Sequence, residues 1–383
     1  MKIGIDARVL MDRNYSGVSE YTANLLSEIL RQDQENQYSL FCNSFKHQED
    51  RLDKWKRINS KVIGTHYANK IFNYFLQKCF QRPRLDEVIG GAEIFFAPHL
   101  NFLNVSHKTK LVVTVHDLSF LRYPEFFSCR KNIWHKAIGV ARLLKRADRI
   151  VAVSENTKHD LVEILKIAAD KIEVIYSGNN FLAAPFSGSE REDFFAKHNL
   201  RSGFIFSVGN IEPRKNISGL IKAYEDLRKR RPDLEPQLVL AGAKGWKHHQ
   251  IFKTWKNSPY QQDIKFLGYI SSSEKATLFA AATVFAYPSY YEGFGFPPLE
   301  ALSAGVPVVS SNISSLPEVL GDAALLVNPF RAEDISESLE LILTDNNLRT
   351  NLIAAGKKQA TLFSWEKAAQ HYLKLFKELD EKK

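Results

Sequence analysis

Glu292 and Glu300 stand eight residues apart in Ser-Tyr-Tyr-Glu-Gly-Phe-Gly-Phe-Pro-Pro-Leu-Glu-Ala, with two glycines and a Pro-Pro pair between them. Neither a continuous helix nor a strand accommodates that run. Gly293 and Gly295 let the backbone turn and expose its N–H groups, while Pro297 and Pro298 preset φ for a first helical turn. The spacing predicts a loop carrying Glu292, a helix opened by Glu300, and two carboxylates facing one cavity. Free amides at a helix N-terminus suit a phosphate or a hydroxyl-rich ligand. A plain Gly/Pro turn with two solvated glutamates would leave an exposed Tyr290-Tyr291 pair, the Phe-Gly-Phe and the apolar run before them unaccounted for.

A second charged group follows the β-rich run Phe204–Val208. In Gly209-Asn-Ile-Glu-Pro-Arg214-Lys215-Asn216 a glycine turn and Pro213 place two adjacent cations at the start of the next helix. A planar bidentate fork, a point charge and the helix terminus together match a diphosphate. In the first half, Gly17 of Ser16-Gly-Val-Ser-Glu-Tyr21 permits close backbone approach to a ligand ahead of a helix Tyr21–Leu30. The run Leu111–Val115 delivers His116-Asp117 at a strand's carboxyl end, where side chains reach a ligand. Gly17 alone reads equally as an ordinary turn, and a lone histidine as a structural one.

The elements that must position these residues alternate. Short apolar runs at Ile3–Asp6, Tyr38–Phe41, Ile94–Ala97, Leu111–Val115, Ile150–Val153 and Ile172–Ile175 are separated by longer helical patterns. A second series follows at Phe204–Val208, Gln237–Ala241, Ile264–Leu267, Thr283–Tyr287, Val306–Val309 and Ala324–Val327. Runs buried on both faces read as parallel strands, so the chain is βα repeated in two series. Turn residues collect between Ser177 and Glu190 and mark a linker. The expected organisation is α/β: two doubly wound Rossmann-like domains, 1–180 and 181–363, facing across a cleft that holds the site. An amphipathic helix over 364–383, N-capped by Ser364, packs back toward the first domain.

At 383 residues the chain exceeds one ordinary core, and its 44% hydrophobic content supports two. The formal charge of +9 is uneven, with 27 Lys+Arg against 20 Asp+Glu in residues 1–180. That excess is dispersed rather than gathered on a face with stacking aromatics, which argues against a nucleic-acid partner. Cys42, Cys79 and Cys129 show no CxxC spacing and read as reduced thiols. No run of eighteen apolar residues and no signal sequence is visible, which predicts a cytoplasmic protein, soluble or peripheral at the inner face of the plasma membrane.

Ser-Val-Gly-Asn-Ile-Glu-Pro-Arg-Lys-Asn, Phe266-Leu-Gly-Tyr, the Glu292–Glu300 loop with Gly305-Val-Pro-Val-Val, and Leu316-Pro-Glu-Val-Leu-Gly-Asp-Ala-Ala occur in that order. Together they resemble the retaining, GT-B-fold glycosyltransferases of family 4. The likeness covers the whole chain and is densest from Ser207 to Asp322. It implies that Arg214 and Lys215 hold a donor diphosphate in place of a metal, with Asn210 beside them, and that no cofactor or metal is required. It implies further that Glu300 receives the ribose hydroxyls and Glu292 the donor sugar. The amides of Phe294 and Gly295, following Gly293, would complete the cradle; Gly268 and Tyr269 would border the base, Gly17 the phosphates, and His116 the sugar. No Asp-x-Asp occurs, consistent with cationic side chains replacing a metal. Retention would follow from same-face attack with a donor phosphate oxygen taking the acceptor proton, or from Glu292 as nucleophile.

The opening Ile-Asp-Ala-Arg with Ser-Gly-Val-Ser-Glu-Tyr-Thr-Ala-Asn-Leu is similar to bacterial mannosyltransferases of surface-polysaccharide assembly, which implies GDP-mannose as donor and a glycan or lipid-linked glycan as acceptor. Ser16 and Glu20 stand where relatives more often carry Gly and Arg, so UDP-glucose and UDP-N-acetylglucosamine stay open, as does a non-catalytic nucleotide-sugar-binding module. Lys70 to Arg84 reads as a core helix with a solvated basic edge, in preference to a segment resting on a membrane.

Overall fold

A computed structural model describes residues 1–11, 17–45, 49–179 and 184–381. Ser16, and residues 180–183 at the centre of the expected linker, lie outside the described residues. The chain divides into two compact units. The first comprises Met1–Arg122, Cys129–Gly178 and Ser364–Lys383; the second comprises Tyr123–Ser128 and Asn179–Phe363.

The first unit carries strands β1 (Lys2–Asp6), β2 (Gln37–Asn43), β3 (Ser60–Thr65), β4 (Ile94–Ala97), β5 (Lys110–Val115), β6 (Arg149–Ala152) and β7 (Ile172–Val174). They form one parallel sheet in the order β3-β2-β1-β4-β5-β6-β7. The apolar runs become central strands because both sheet faces are covered: Ile3, Ile5, Phe95, Phe96, Val112 and Val113 are all buried. The sequence did not reveal β3. Its Ser-Lys-Val-Ile-Gly-Thr lacks the apolar run because it is an edge strand, half-exposed beyond its first residue.

Helix Gly17–Gln32 starts four residues earlier than expected and packs against the C-terminal helix Trp365–Glu381. Tyr372 fixes that packing: its hydroxyl lies 2.7 Å from the Tyr21 hydroxyl and 2.6 Å from Thr114 Oγ1, with Phe96 against its ring. Ser364 caps the C-terminal helix by accepting from Lys367 N–H at 3.1 Å.

The second unit carries β8 (Phe204–Val208), β9 (Leu238–Ala241), β10 (Ile264–Gly268), β11 (Ala282–Tyr287), β12 (Val308–Ser311) and β13 (Ala324–Val327), all parallel, in the order β10-β9-β8-β11-β12-β13. Expected strand Val306–Val309 starts two residues late, because Pro307 has no N–H to give; its carbonyl still accepts from Phe285 N–H at 2.8 Å. Leu220, Tyr224 and Leu227 of helix Ile217–Arg230 pack with Ile335, Leu339 and Ile342 of helix Ala332–Thr344 in this unit's core.

In each sheet one strand is flanked by neighbours from both directions of the chain, β1 between β2 and β4, and β8 between β9 and β11. Connections leaving these points run to opposite faces, which opens a crevice at the strands' carboxyl ends where open α/β sheets hold ligands.

Two predictions are corrected here. Residues 70–84 do not form a core helix. Ile71–Cys79 is a π-helix, closed by Phe80 N–H donating to the Phe75 carbonyl at 2.9 Å, and the wider turn leaves Ile71, Tyr74 and Phe75 about half exposed while Phe72 and Gln77 are buried. The Tyr290-Tyr291 pair is not exposed: Tyr291 is buried and Tyr290 half-buried. Segment Tyr123–Ser128 covers them, Phe126 stacking on Tyr290 at 5.7 Å and Tyr123 tilting against Tyr291 at 5.7 Å. Trp246 holds that segment, stacking on Phe127 and donating its indole N–H to the Phe126 carbonyl.

Candidate functional site

In the second unit the crevice between β8 and β11 gathers charge. Beyond β8, Pro213–Lys215 make a 3-10 turn, and Asn216 in a left-handed conformation starts helix Ile217–Arg230. Arg214 and Lys215 therefore sit in a turn before the helix, not in the helix itself. The left-handed Asn216 breaks the path between turn and helix, a conformation asparagine tolerates.

Beyond β11, the loop carries Glu292 back onto both cations. Arg214 reaches Glu292 Oε2 at 2.8 Å and Lys215 Nζ reaches Oε1 at 2.6 Å. The three side chains are only 15%, 13% and 9% exposed, so the interaction is little screened by water. Arg214 also contacts Glu212 at 3.1 Å and donates to the Tyr291 carbonyl at 2.6 Å, while Lys215 donates to the Tyr287 hydroxyl at 2.5 Å. Burial would raise the Glu292 pKa; the charges of Arg214 and Lys215 outweigh it and hold the carboxyl down at about 2. Burial, then repulsion from Arg214, pushes the Lys215 ammonium below its usual range against the pull of Glu292 and Glu212. Burial, reinforced by Glu292, drives the Tyr287 hydroxyl well above its usual range, so it stays a neutral acceptor for Lys215.

The Glu292 loop is fixed from behind. Glu292 N–H donates to Ser314 Oγ at 3.0 Å, and Ser315 Oγ donates to the carbonyls of Glu292 and Phe294. Gly295 has φ +111°, and a Cβ there would approach Leu316 Cδ2 to 2.8 Å, so only glycine fits this bend comfortably. Gly293 is buried in the same turn. Helix Phe296–Ser303 contains Pro297 and Pro298 in its first turn as predicted, but Glu300 lies in the second turn rather than opening it. Its carboxylate meets Lys275 Nζ at 2.7 Å. The two glutamates are thus engaged by separate cations, because a helical turn carries Glu300 away from the loop.

Gly268 ends β10 with φ +76° and open space where a Cβ would lie, followed by Tyr269, which is two-thirds exposed; Asn210 is exposed beyond β8. Gly17 and His116 belong to the first unit. Gly17 is the first residue of its helix, and nothing among the described residues lies within 4 Å of where its Cβ would be. His116 follows β5, edge-on to Tyr21 at 4.6 Å, and its Nε2 donates to the Pro98 carbonyl at 2.8 Å, leaving Nδ1 as the acceptor. Burial lowers its pKa, favouring the neutral ring.

Sequence reasoning missed Glu212, Lys275, Tyr287, Ser314 and Ser315. Glu212 and Tyr287 were visible as polar residues at the ends of strand-linked motifs. Nothing in spacing alone pointed to Lys275, which is 25 residues from its partner.

Residues 189–359 match the family described as Glycosyl transferases group 1, and residues 15–180 match Glycosyltransferase Family 4. The chain is 33% identical to the O-antigen chain mannosyltransferase B of Escherichia coli over 288 residues, covering 74% of this chain and 72% of that protein. It is 32% identical to the serotype-specific mannosyltransferase WbdA of Escherichia coli over 296 residues, covering 72% of this chain and 35% of that protein; it spans about a third of that relative's length. Its fold is similar to that of a sucrose-phosphate synthase from Thermosynechococcus elongatus, with TM-score 0.76, 19% identity and full coverage of both chains. It is similar also to Anabaena HepE in complex with UDP and glucose, with TM-score 0.74, 17% identity and coverage of 99% of this chain and 100% of that one. Two parallel-sheet Rossmann-like units with these neighbours define the α/β fold called GT-B.

Proposed function

Because the chain belongs to the group 1 and family 4 glycosyltransferases, we propose that it moves mannose from GDP-mannose, with retention and without a metal, to a glycan or lipid-linked glycan in surface-polysaccharide biosynthesis. The mannosyltransferase relatives support the sugar. The observation that carries the donor chemistry is the pairing of Arg214 and Lys215 with one buried carboxylate at the β8/β11 crevice.

The donor diphosphate displaces Glu292 from these cations, which then neutralise the leaving nucleotide as the bond to the anomeric carbon breaks. Glu292, freed from two ion pairs, accepts hydrogen bonds from the donor sugar. Glu300 takes the ribose hydroxyls, exchanging its contact with Lys275. With the freed Glu292 carboxylate occupied by hydrogen bonds from the donor sugar, we favour same-face attack over a covalent intermediate on Glu292. In that step the acceptor oxygen bonds to the anomeric carbon, the bond to the diphosphate breaks, and a donor phosphate oxygen takes the acceptor proton.

No helix among the described residues is long and apolar enough to cross a membrane. We place the enzyme in the cytoplasm with a peripheral contact at the inner membrane face. Exposed Ile71, Tyr74, Phe75 and Phe80 beside Lys70, Lys78, Arg82 and Arg84 support that contact.

Calorimetric titration in EDTA with GDP, UDP, GDP-mannose and UDP-glucose tests the donor. Selective GDP binding that is lost in Glu300→Ala supports the reading. UDP preference replaces GDP-mannose with a UDP-sugar, and no nucleotide binding overturns the transferase mechanism.

A further inference from the structure

Glu212 and Glu292 hold opposite ends of Arg214. Glu212 Oε1 accepts from the guanidinium's Nε at 3.2 Å and Nη2 at 3.1 Å, while Nη1 donates to Glu292 Oε2 at 2.8 Å and to the Tyr291 carbonyl at 2.6 Å. The two acids are anchored differently. Glu292 hangs from the glycine-containing loop beyond β11, whereas Glu212 directly precedes the 3-10 turn Pro213–Lys215, and its carbonyl accepts from Lys215 N–H at 3.1 Å. Its neighbour Ile211 forms an isolated parallel bridge with Lys244: Ile211 N–H donates to the Ala243 carbonyl at 2.9 Å, and Gly245 N–H to the Ile211 carbonyl at 3.1 Å. A Cβ at Gly245 would come within 3.0 Å of that carbonyl oxygen and 3.1 Å of Glu212 Cβ, so the glycine lets the chain close over Glu212. The Glu212 side chain is left 1% exposed.

The other oxygen of this carboxylate, Oε2, is buried and has no hydrogen-bond partner among the described residues. Half of the group is thus withdrawn from water without compensation, which is unfavourable in itself. Folding stability does not explain a glutamate in this place. What Oε1 does explains it: the short side chain reaches back two residues and grips the Nε edge of Arg214 from a stretch of backbone that is bridged on one side and turned on the other.

We propose that Glu212 is a positioning residue: it keeps hold of the Nε edge of Arg214 while the donor diphosphate replaces Glu292 at Nη1, so the guanidinium stays aimed at the leaving group after its exchangeable partner has gone. The inference rests on the donor reading above and deepens it by separating a fixed carboxylate from an exchangeable one. A guanidinium already held along one edge loses little further freedom when a phosphate meets the other, and its fork is in place before the bond to the anomeric carbon breaks. The charge of Glu212 is a secondary aid. Burial and Arg214 push the Lys215 ammonium below its usual range, and Glu292 and Glu212 oppose them.

Two conservative substitutions in the full chain separate reach from charge. Glu212→Gln keeps an oxygen at the Arg214 edge and puts its amide nitrogen where Oε2 has no partner; Glu212→Asp keeps the charge but is one methylene too short for that edge. In a nucleotide-release assay with GDP-mannose, kcat should fall about fivefold in Glu212→Gln, through the support that Lys215 loses, and about 100-fold in Glu212→Asp. Calorimetry should show GDP affinity in Glu212→Asp reduced by less than about threefold, because Lys215 still meets the diphosphate. With Arg214→Ala already present, adding Glu212→Asp should lower kcat by no more than about twofold further, since Glu212 acts through Arg214. A Glu212→Asp enzyme at least as active as Glu212→Gln, a 100-fold loss in Glu212→Gln, or a full 100-fold loss from Glu212→Asp in the absence of Arg214 would each overturn the inference. Failure of the unaltered protein to bind GDP or UDP would instead overturn the donor reading; with UDP preferred, UDP-glucose takes the place of GDP-mannose in the same assay.

Discussion

Both sheets place a crevice beside their central strand, yet opposite chemistry collects there. Beyond β8 and β11 stand Arg214, Lys215, Glu212 and Glu292, a charged network largely withdrawn from water. The cavity at the carboxyl ends of β1, β2 and β4 is lined by asparagines, by His99, whose pKa burial lowers, and by Trp134, and its only lining cation among the described residues, Arg8, is bound by Asp6. The same topology supplies the same kind of crevice, and the side chains at strand ends decide how much charge it gathers. In the proposed mechanism the charged crevice faces a leaving group that gains negative charge.

The largest expected effect comes from breaking the charged side. Arg214→Ala removes a cation from the developing diphosphate and should lower kcat/KM by about 100- to 1000-fold in a nucleotide-release assay. A loss under tenfold would show that the donor phosphates lie elsewhere. Glu292→Ala leaves two buried cations side by side and should lower stability by about 3–5 kcal/mol in denaturant melts. Saturating GDP should recover more stability in this variant than in the unaltered protein, because the diphosphate replaces the missing counter-charge.

The two crevices should also separate by pH. Burial lowers His99 from 6.5 to about 4, so the unfolded chain protonates first; this contribution to stability is present above about pH 6.5 and lost as the pH falls to about 4. Glu292 is depressed from 4.5 to about 2, so its contribution is present above about pH 4.5 and lost only below that. In urea melts across pH, His99→Gln should flatten the upper window and Glu292→Gln the lower one. If both flatten the same window, the two crevices are not electrostatically distinct. The smallest effect is expected from Trp134→Phe, which keeps an aromatic ring at a partly exposed position: stability within about 0.5 kcal/mol in urea melts.

The charged crevice was largely legible in the chain. Arg214-Lys215 directly follows the strand Phe204–Val208, and the glycines and prolines around Glu292 predict its loop. The exchange of partners was not legible: Glu292 meets cations 77 and 78 residues away, and Glu300 is held by Lys275 rather than facing the same cavity. The first unit's cavity was invisible in the chain. Its asparagines are scattered from Asn43 to Asn101, and none belongs to a recognisable motif. The cover that Tyr123–Ser128 gives to Tyr290 and Tyr291 was equally hidden, since that segment lies far away in the chain.

The sequence by itself determined what local physics can encode: apolar runs that must be buried on both faces, a glycine at Gly295 that its bend requires, prolines that start a helix, and cations placed one turn beyond a strand. Only the tertiary structure decided which strand ends became neighbours. Placing β1 against β4 brings Arg8 to within 2.9 Å of the Phe102 carbonyl, and placing β8 against β11 brings Lys215 to within 2.6 Å of Glu292. Such contacts depend on the order in which a whole sheet assembles, and no local spacing carries that order, because each pairing is chosen by the burial of all the strands together.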